Sequence, residues 1–148
     1  MRFRSNSPEG TEQIGQRIGR CLRPGDIVCL YGDLGTGKTT LVRGIASVFG
    51  IPARDITSAS FTIIAEYPVD PFFYHIDLYR IKNRDDLDST GIWDLIGGDA
   101  ISVIEWAENL GEITGQGRDI IRIWSSDCGD NDREFITEGI DEDAWNNL

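Results

Sequence analysis

The junction between Ile27-Val28-Cys29-Leu30-Tyr31 and the glycine-rich run that follows it narrows the fold more than any other stretch of the chain. The first run shows no polar alternation, the pattern of a strand buried on both faces in a sheet covered by helices. Beyond the glycines, Leu41, Val42, Ile45, Ala46, Val48 and Phe49 recur at helical spacing until Gly50 and Pro52 close the segment. A buried strand, a glycine loop and an amphipathic helix therefore succeed one another.

The connecting loop reads Gly32, Asp33, Leu34, Gly35, Thr36, Gly37, Lys38, Thr39, Thr40. Gly32, Gly37, Lys38 and Thr39 satisfy G-x-x-x-x-G-K-[ST], in the strand-to-helix setting that this phosphate-binding motif requires. Glycines let successive backbone N–H groups converge on an anion, and the helix start adds its partial positive charge. Lys38 suits the β- and γ-phosphates, and the Thr39 hydroxyl suits Mg²⁺, which prefers hard oxygen ligands. The only other lysine is Lys82, so Lys38 does not come from a lysine-rich background. The expected ligands are ATP and Mg²⁺, and the expected fold is α/β, a P-loop NTPase-like three-layer arrangement.

Elsewhere Ser7-Pro8-Glu9 has the composition of a helix start, with Ile14, Ile18, Cys21 and Leu22 following at helical spacing and Pro24-Gly25 ending the element. Two strand-like runs, SASFTIIAEYPV and FYHIDLYRI, flank Asp70-Pro71 closely enough to predict an antiparallel pair, which makes the sheet mixed. Asp85 to Ile96 reads as one short helix weakened at Thr90-Gly91, Ala100 to Ile104 as a strand, and Ile120–Trp124 with Glu134–Ile140 as a second hairpin. Residues 1–140 are expected to form a single domain, and 141–148 an acidic, mobile tail.

A compact chain of 148 residues buries roughly 68–70% of its unfolded surface, enough for one core. No window has the apolar length of a membrane span and the N-terminal segment lacks the apolar core of a secretion signal, so the expected location is cytoplasmic. Cys21, Cys29 and Cys128 form no CxxC pair, which favours reduced thiols over a disulfide framework or zinc. The net charge is −11, and Asp127 to Leu148 alone carries eight acidic groups against one arginine. Such a surface repels bare nucleic acid, whose affinity rests on cationic neutralisation of phosphates.

Metal-assisted phosphoryl transfer needs carboxylates at the C-terminal ends of strands near the loop. Asp77 after FYHI and Glu105 after ISVI stand at such ends, and either could serve magnesium or the attacking water. Lys38, Asp77 and Glu105 are the candidate catalytic groups, and Thr39, Asp77 and Glu105 the candidate metal ligands. Asp33 inside the loop would oppose phosphate, so it is assigned a structural role. His75, the only histidine, is assigned to packing.

The series GDLGTGKTT, SASFT, HIDLYR and IEWAE, in this order and spacing, resembles the TsaE family, the bacterial ATPases of tRNA threonylcarbamoyladenosine biosynthesis. The likeness runs from about Thr11 to Arg133. It implies ATP turnover in support of two partner proteins, TsaB and TsaD, which install threonylcarbamoyl on adenosine 37 of tRNAs reading ANN codons; tRNA would be met only indirectly, through them. It also implies that Thr11 lies near the nucleotide base and that Arg133 is a basic residue of the last hairpin at the nucleotide. SASF stands where the family has SPTF, so Ala59 lacks proline's fixed φ and the loop is less preorganised.

Two other functions fit the loop. A small-molecule kinase would close an arginine-rich lid over the phosphates, whereas the region after Asp85 is acidic and apolar. A non-enzymatic switch would use nucleotide only to order the SASFT loop and gate an interface.

Overall fold

The structure is a computed structural model and describes residues 1–33, 35–57, 63–113 and 120–148. Its centre is a seven-stranded sheet built from β1 (Arg2–Ser5), β2 (Ile27–Tyr31), β3 (Ile64–Tyr67), β4 (Phe73–Asp77), β5 (Ile101–Glu105), β6 (Ile120–Asp127) and β7 (Arg133–Glu138), in the order β1-β7-β6-β2-β5-β4-β3. Strands β6, β2, β5 and β4 are mutually parallel, while β7, β1 and β3 add antiparallel margins. The sheet is thus mixed, as the hairpin-length connections require.

Among the described residues five α-helices, α1 (Pro8–Cys21), α2 (Lys38–Ser47), α3 (Arg84–Asp88), α4 (Ile92–Leu95) and α5 (Glu142–Asn146), cover it. One face buries Val28, Leu30, Phe73, Ile101, Val103, Ile121 and Ile123 with apolar groups of α1, α2 and α5. The opposite face buries Ile27, Cys29, Ile76 and Ile104 with Leu87, Ile92 and Ile96 of the α3–α4 region. This is a three-layer α/β architecture. The expected single helix at Asp85–Ile96 is two, because Gly91 takes φ 77° and serves as the N-cap of α4.

Helix α1 starts as its sequence dictates, with Ser7 Oγ accepting from Gly10 N at 3.0 Å and Pro8 in the first turn. Its buried face consists mainly of small residues, Thr11, Gly15 and Gly19 among them. These let it lie directly on α2: a Cβ at Gly15 would fall 2.4 Å from Leu41 O, and one at Gly44 only 2.2 Å from Glu12 O. The two helices therefore meet backbone to backbone, and α2 is held where the glycine loop delivers it.

One feature of the chain's ends differs from expectation. Arg2–Ser5 was not expected to be a strand, yet it pairs antiparallel with β7 and the terminal ammonium donates to Thr137 O at 2.9 Å. Within 141–148, Glu142–Asn146 forms α5. Asp141 caps α5 by accepting from Ala144 N, and Trp145, 7% exposed, packs on Phe3 with ring centroids 4.7 Å apart while Arg17 lies 3.9 Å over its ring. Burial of one large aromatic on another outweighs the acidity of the flanking residues.

The three cysteines are free; Cys21 and Cys29 are buried and Cys128 is exposed. Burial pushes the Cys29 thiol up to about 11. A thiol-reactive probe at pH 7.5 should therefore label Cys128 quickly in the native protein and reach the other two only in denaturant, as read by mass spectrometry. Gly44→Ala should lower stability by about 1–3 kcal/mol through overpacking against α1, measured as a reduced urea midpoint.

Candidate functional site

The parallel register fixes the site. Leu30, the penultimate residue of β2, pairs with Glu105 on β5, and Glu105 pairs in turn with Asp77 on β4. The last residues of β5 and β4 thus stand level with the start of the glycine loop. Phe73 and Val103 belong to the α2 side of the sheet, and alternation along each strand puts Asp77 and Glu105 on that same side.

Gly32 leaves β2 at φ 137°, and a Cβ there would fall 2.4 Å from Ser125 Oγ and 2.5 Å from Ser125 O. Gly37 caps α2 at φ 91° and contributes no side-chain hydrogen bond, which leaves the first backbone N–H groups of the helix open to the cavity in front of them. Between the two, Thr36 anchors the loop by donating to Asp33 O at 2.8 Å and meeting Ser125 Oγ at 2.7 Å. Ser125 in turn donates to Tyr31 O at 3.1 Å, so β6 braces the loop from behind.

Lys38 is 6% exposed. Its ammonium donates to the carbonyls of Gly32 and Asp33 and lies 4.0 Å from the centroid of the Trp106 ring. Trp106 can be placed there because it adopts φ 56°, turning the chain directly after β5. Burial holds the Lys38 pKa below the usual lysine range, against the opposing pull of Glu105, Glu108, Asp33 and Asp77. Thr39 Oγ1 donates to Glu105 Oε1 at 3.1 Å. The second carboxylate oxygen, Oε2, lies 2.5 Å from His75 Nε2, and both side chains are almost fully buried.

These groups open onto one cavity of about 560 Å³, lined by loop residues Asp33 and Gly35 to Thr40, by Asp77 and Glu105, and by Thr11 and Arg133 beside Gly37. Asp77 Oδ1 accepts from Tyr79 N at 2.9 Å, which fixes the carboxylate within its own turn. Thr11 is buried and shares a 2.5 Å hydroxyl contact with Ser5. Arg133 Nη1 donates to Asp127 Oδ1 and to the carbonyls of Asp130 and Asp132, while its Cγ lies 3.7 Å from where a Cβ of Gly37 would stand. Leu34, and Ala59 and Ser60 of the SASFT loop, lie outside the described residues.

The donor set facing the cavity suits magnesium: a hydroxyl and two carboxylates are hard oxygen ligands. Among the described residues no group of three or more His, Cys, Asp or Glu could hold a metal ion. Gly37 takes φ 91°, a conformation that L side chains rarely adopt, while a Cβ there would make only ordinary contacts with Phe135 and Thr11 at 3.6 and 3.8 Å.

A family model described as "Threonylcarbamoyl adenosine biosynthesis protein TsaE" matches residues 5–135. The chain belongs to the TsaE family. Among its relatives are the tRNA threonylcarbamoyladenosine biosynthesis proteins TsaE of Bacillus subtilis, 37% identical with 91% of this chain and 83% of that protein covered, and of Treponema pallidum, 38% identical with 74% and 81% covered. The TsaE of Streptomyces coelicolor is 33% identical, with 88% of this chain and 90% of that one covered. The crystal structure of YdiB from Bacillus subtilis superposes with a TM-score of 0.70 at 32% identity, covering 97% of this chain and 88% of that one.

For this member of the TsaE family, sequence reasoning missed the lining residues Ser7, Pro8, Tyr79, Arg80, Trp106 and Asn131, and the contact of His75 with Glu105. Trp106 could have been suspected from its place directly after Glu105; Ser7 had already been spent on the helix cap. Arg80 lines the cavity, whereas Arg43 on α2 donates to Ile56 O at 3.1 Å.

Because burial disfavours the charged ammonium, Lys38→Met should raise the stability of the nucleotide-free protein by about 0.5–2 kcal/mol. The sign sets its pH dependence. A lysine whose folded pKa is lowered costs stability while it is charged, and that cost fades as pH rises through the folded value toward the unfolded one. The gain of Lys38→Met in urea midpoint should therefore be full at neutral pH and shrink in alkaline buffer.

Proposed function

We propose that the chain binds Mg²⁺-ATP in this cavity and hydrolyses it slowly in the cytoplasm, in support of the TsaB and TsaD partners that add threonylcarbamoyl to adenosine 37 of tRNAs reading ANN codons. The observation that carries this reading is the convergence of Lys38, Thr39 and Glu105 at the open N-terminus of α2.

Lys38 exchanges its carbonyl partners for phosphate oxygens, and the first amides of α2 bind the same anion. Bound magnesium would supply charge neutralisation on the β- and γ-phosphates. Thr39, Glu105 and Asp77 are the groups that would hold it, directly or through water. Glu105 also orients the attacking water and takes its proton as the new P–O bond forms and the bond to the departing ADP oxygen breaks. Trp106 and Tyr79, ring centroids 5.0 Å apart, form an aromatic wall beside the phosphates. Thr11 and Arg133 line the cavity beside Gly37 and contact the nucleoside end.

Slow turnover follows from the cations available. Arg80 is exposed on the rim, so a partner that pressed it inward or supplied its own arginine would accelerate the reaction; such fingers are worth about 10³–10⁵ in rate. With a charge of −11 the chain meets tRNA only through its partners.

Phosphate release from Mg²⁺-ATP, with and without TsaB and TsaD, tests the reading. The unmodified chain should turn over slowly alone and faster with both partners. Glu105→Ala should still bind nucleotide but lose about 10²-fold or more in turnover, and Lys38→Ala should lose nucleotide binding. Nucleotide-dependent partner binding with no phosphate release under any condition would instead make the protein a nucleotide-gated switch.

A further inference from the structure

The residue set aside as packing makes a short, buried polar contact with a carboxylate of the site. His75 sits on β4 opposite Val103 of β5 and Ala65 of β3, with a side chain only 2% exposed. Its Nε2 reaches Glu105 Oε2 at 2.5 Å, and the other oxygen of that carboxylate accepts from Thr39 at 3.1 Å. An ionised carboxylate only accepts, so the ring donates through Nε2–H. Glu105 is thereby held at both oxygens, one from behind by a buried ring and one from the front by the loop.

We propose that His75 is a positioning residue for the site: it fixes the rotation of the Glu105 carboxylate so that Oε1 faces Thr39 and the cavity. The inference rests on the proposed Mg²⁺-ATP reaction and deepens it. A carboxylate held only at its front could swing with the loop, whereas one clamped to a buried strand residue keeps its free lone pairs aimed while Thr39 moves to a ligand. Partners of this kind behind a metal-site group commonly contribute 10–100-fold in metal affinity or activity. Packing alone would need only the ring's volume; positioning needs the N–H.

His75→Phe keeps volume and loses the donor, and His75→Gln restores an N–H of similar reach. Each is measured for nucleotide affinity with Mg²⁺ and with EDTA, by calorimetry, and for phosphate release in the presence of TsaB and TsaD. His75→Phe should lower kcat roughly 10–100-fold with little change in KM, and should reduce the gain in nucleotide affinity that Mg²⁺ confers while leaving affinity in EDTA unchanged. His75→Gln should recover most of both. In a Glu105→Ala background, His75→Phe should add no further loss, because its effect runs through Glu105.

Equal losses in the Phe and Gln variants, or full additivity with Glu105→Ala, would overturn the proposal and leave His75 as packing. If His75→Phe does not fold, His75→Asn takes its place, since its shorter side chain leaves the donor out of reach. Failure of the unmodified chain to bind nucleotide in a Mg²⁺-dependent way would overturn the functional reading itself, and this inference with it; normal binding and turnover by the unmodified chain with no defect in the variants would remove His75 alone.

Discussion

Everything at the site depends on the parallel ladder among β2, β5 and β4. The pairing of Leu30 with Glu105, and of Glu105 with Asp77, brings three separate parts of the sequence to one level at the carboxyl ends of the strands. A slip of one residue in β5 would turn Glu105 to the α3–α4 side and bring a neighbour into its place. The register is held by burial on both faces, since Ile101, Val103 and Ile104 are each 0% exposed. The same hydrophobic energy that holds the sheet together therefore aims the carboxylates.

The electrostatics of the loop follow from that placement. Lys38 is driven into a nearly dry position among carboxylates and carbonyls, with an indole face on one side. Its environment favours the charged form through its partners and disfavours it through burial, and burial has the larger effect. A group kept in that condition gains much from an anion, because phosphate supplies what the protein withholds. In the proposed function, anion recognition is thus prepared by a destabilised residue, a common cost of function.

Much of this was legible in the chain. The strand, glycine loop and helix from Ile27 to Ser47 are encoded locally, by an unbroken apolar run, residues that tolerate positive φ and an apolar stripe at helical period. Asp77 and Glu105 could be named because strand ends are where ligands collect in such sheets. What escaped notice depends on distant contacts. Arg2–Ser5 is too short and too charged to announce a strand and becomes one only beside β7. Trp145 lies in an acidic stretch and is ordered by Phe3 and Arg17. His75 has no local sign of its partner, because Glu105 lies 30 residues further on.

The docking of α5 and β1 carries a consequence for how the molecule comes to be. Phe3 finds its partners in β7 and Trp145, at the opposite end of the sequence. During synthesis, α1 can form early, but β1 has no strand to pair with until residues 133–138 have emerged, and its aromatic stays uncovered until Trp145 follows. Contacts of such long sequence separation close late and slowly. In the interval the edge of β6 and the ring of Phe3 are open to any other extended chain, so residues 133–146 act as an internal cover for the first few.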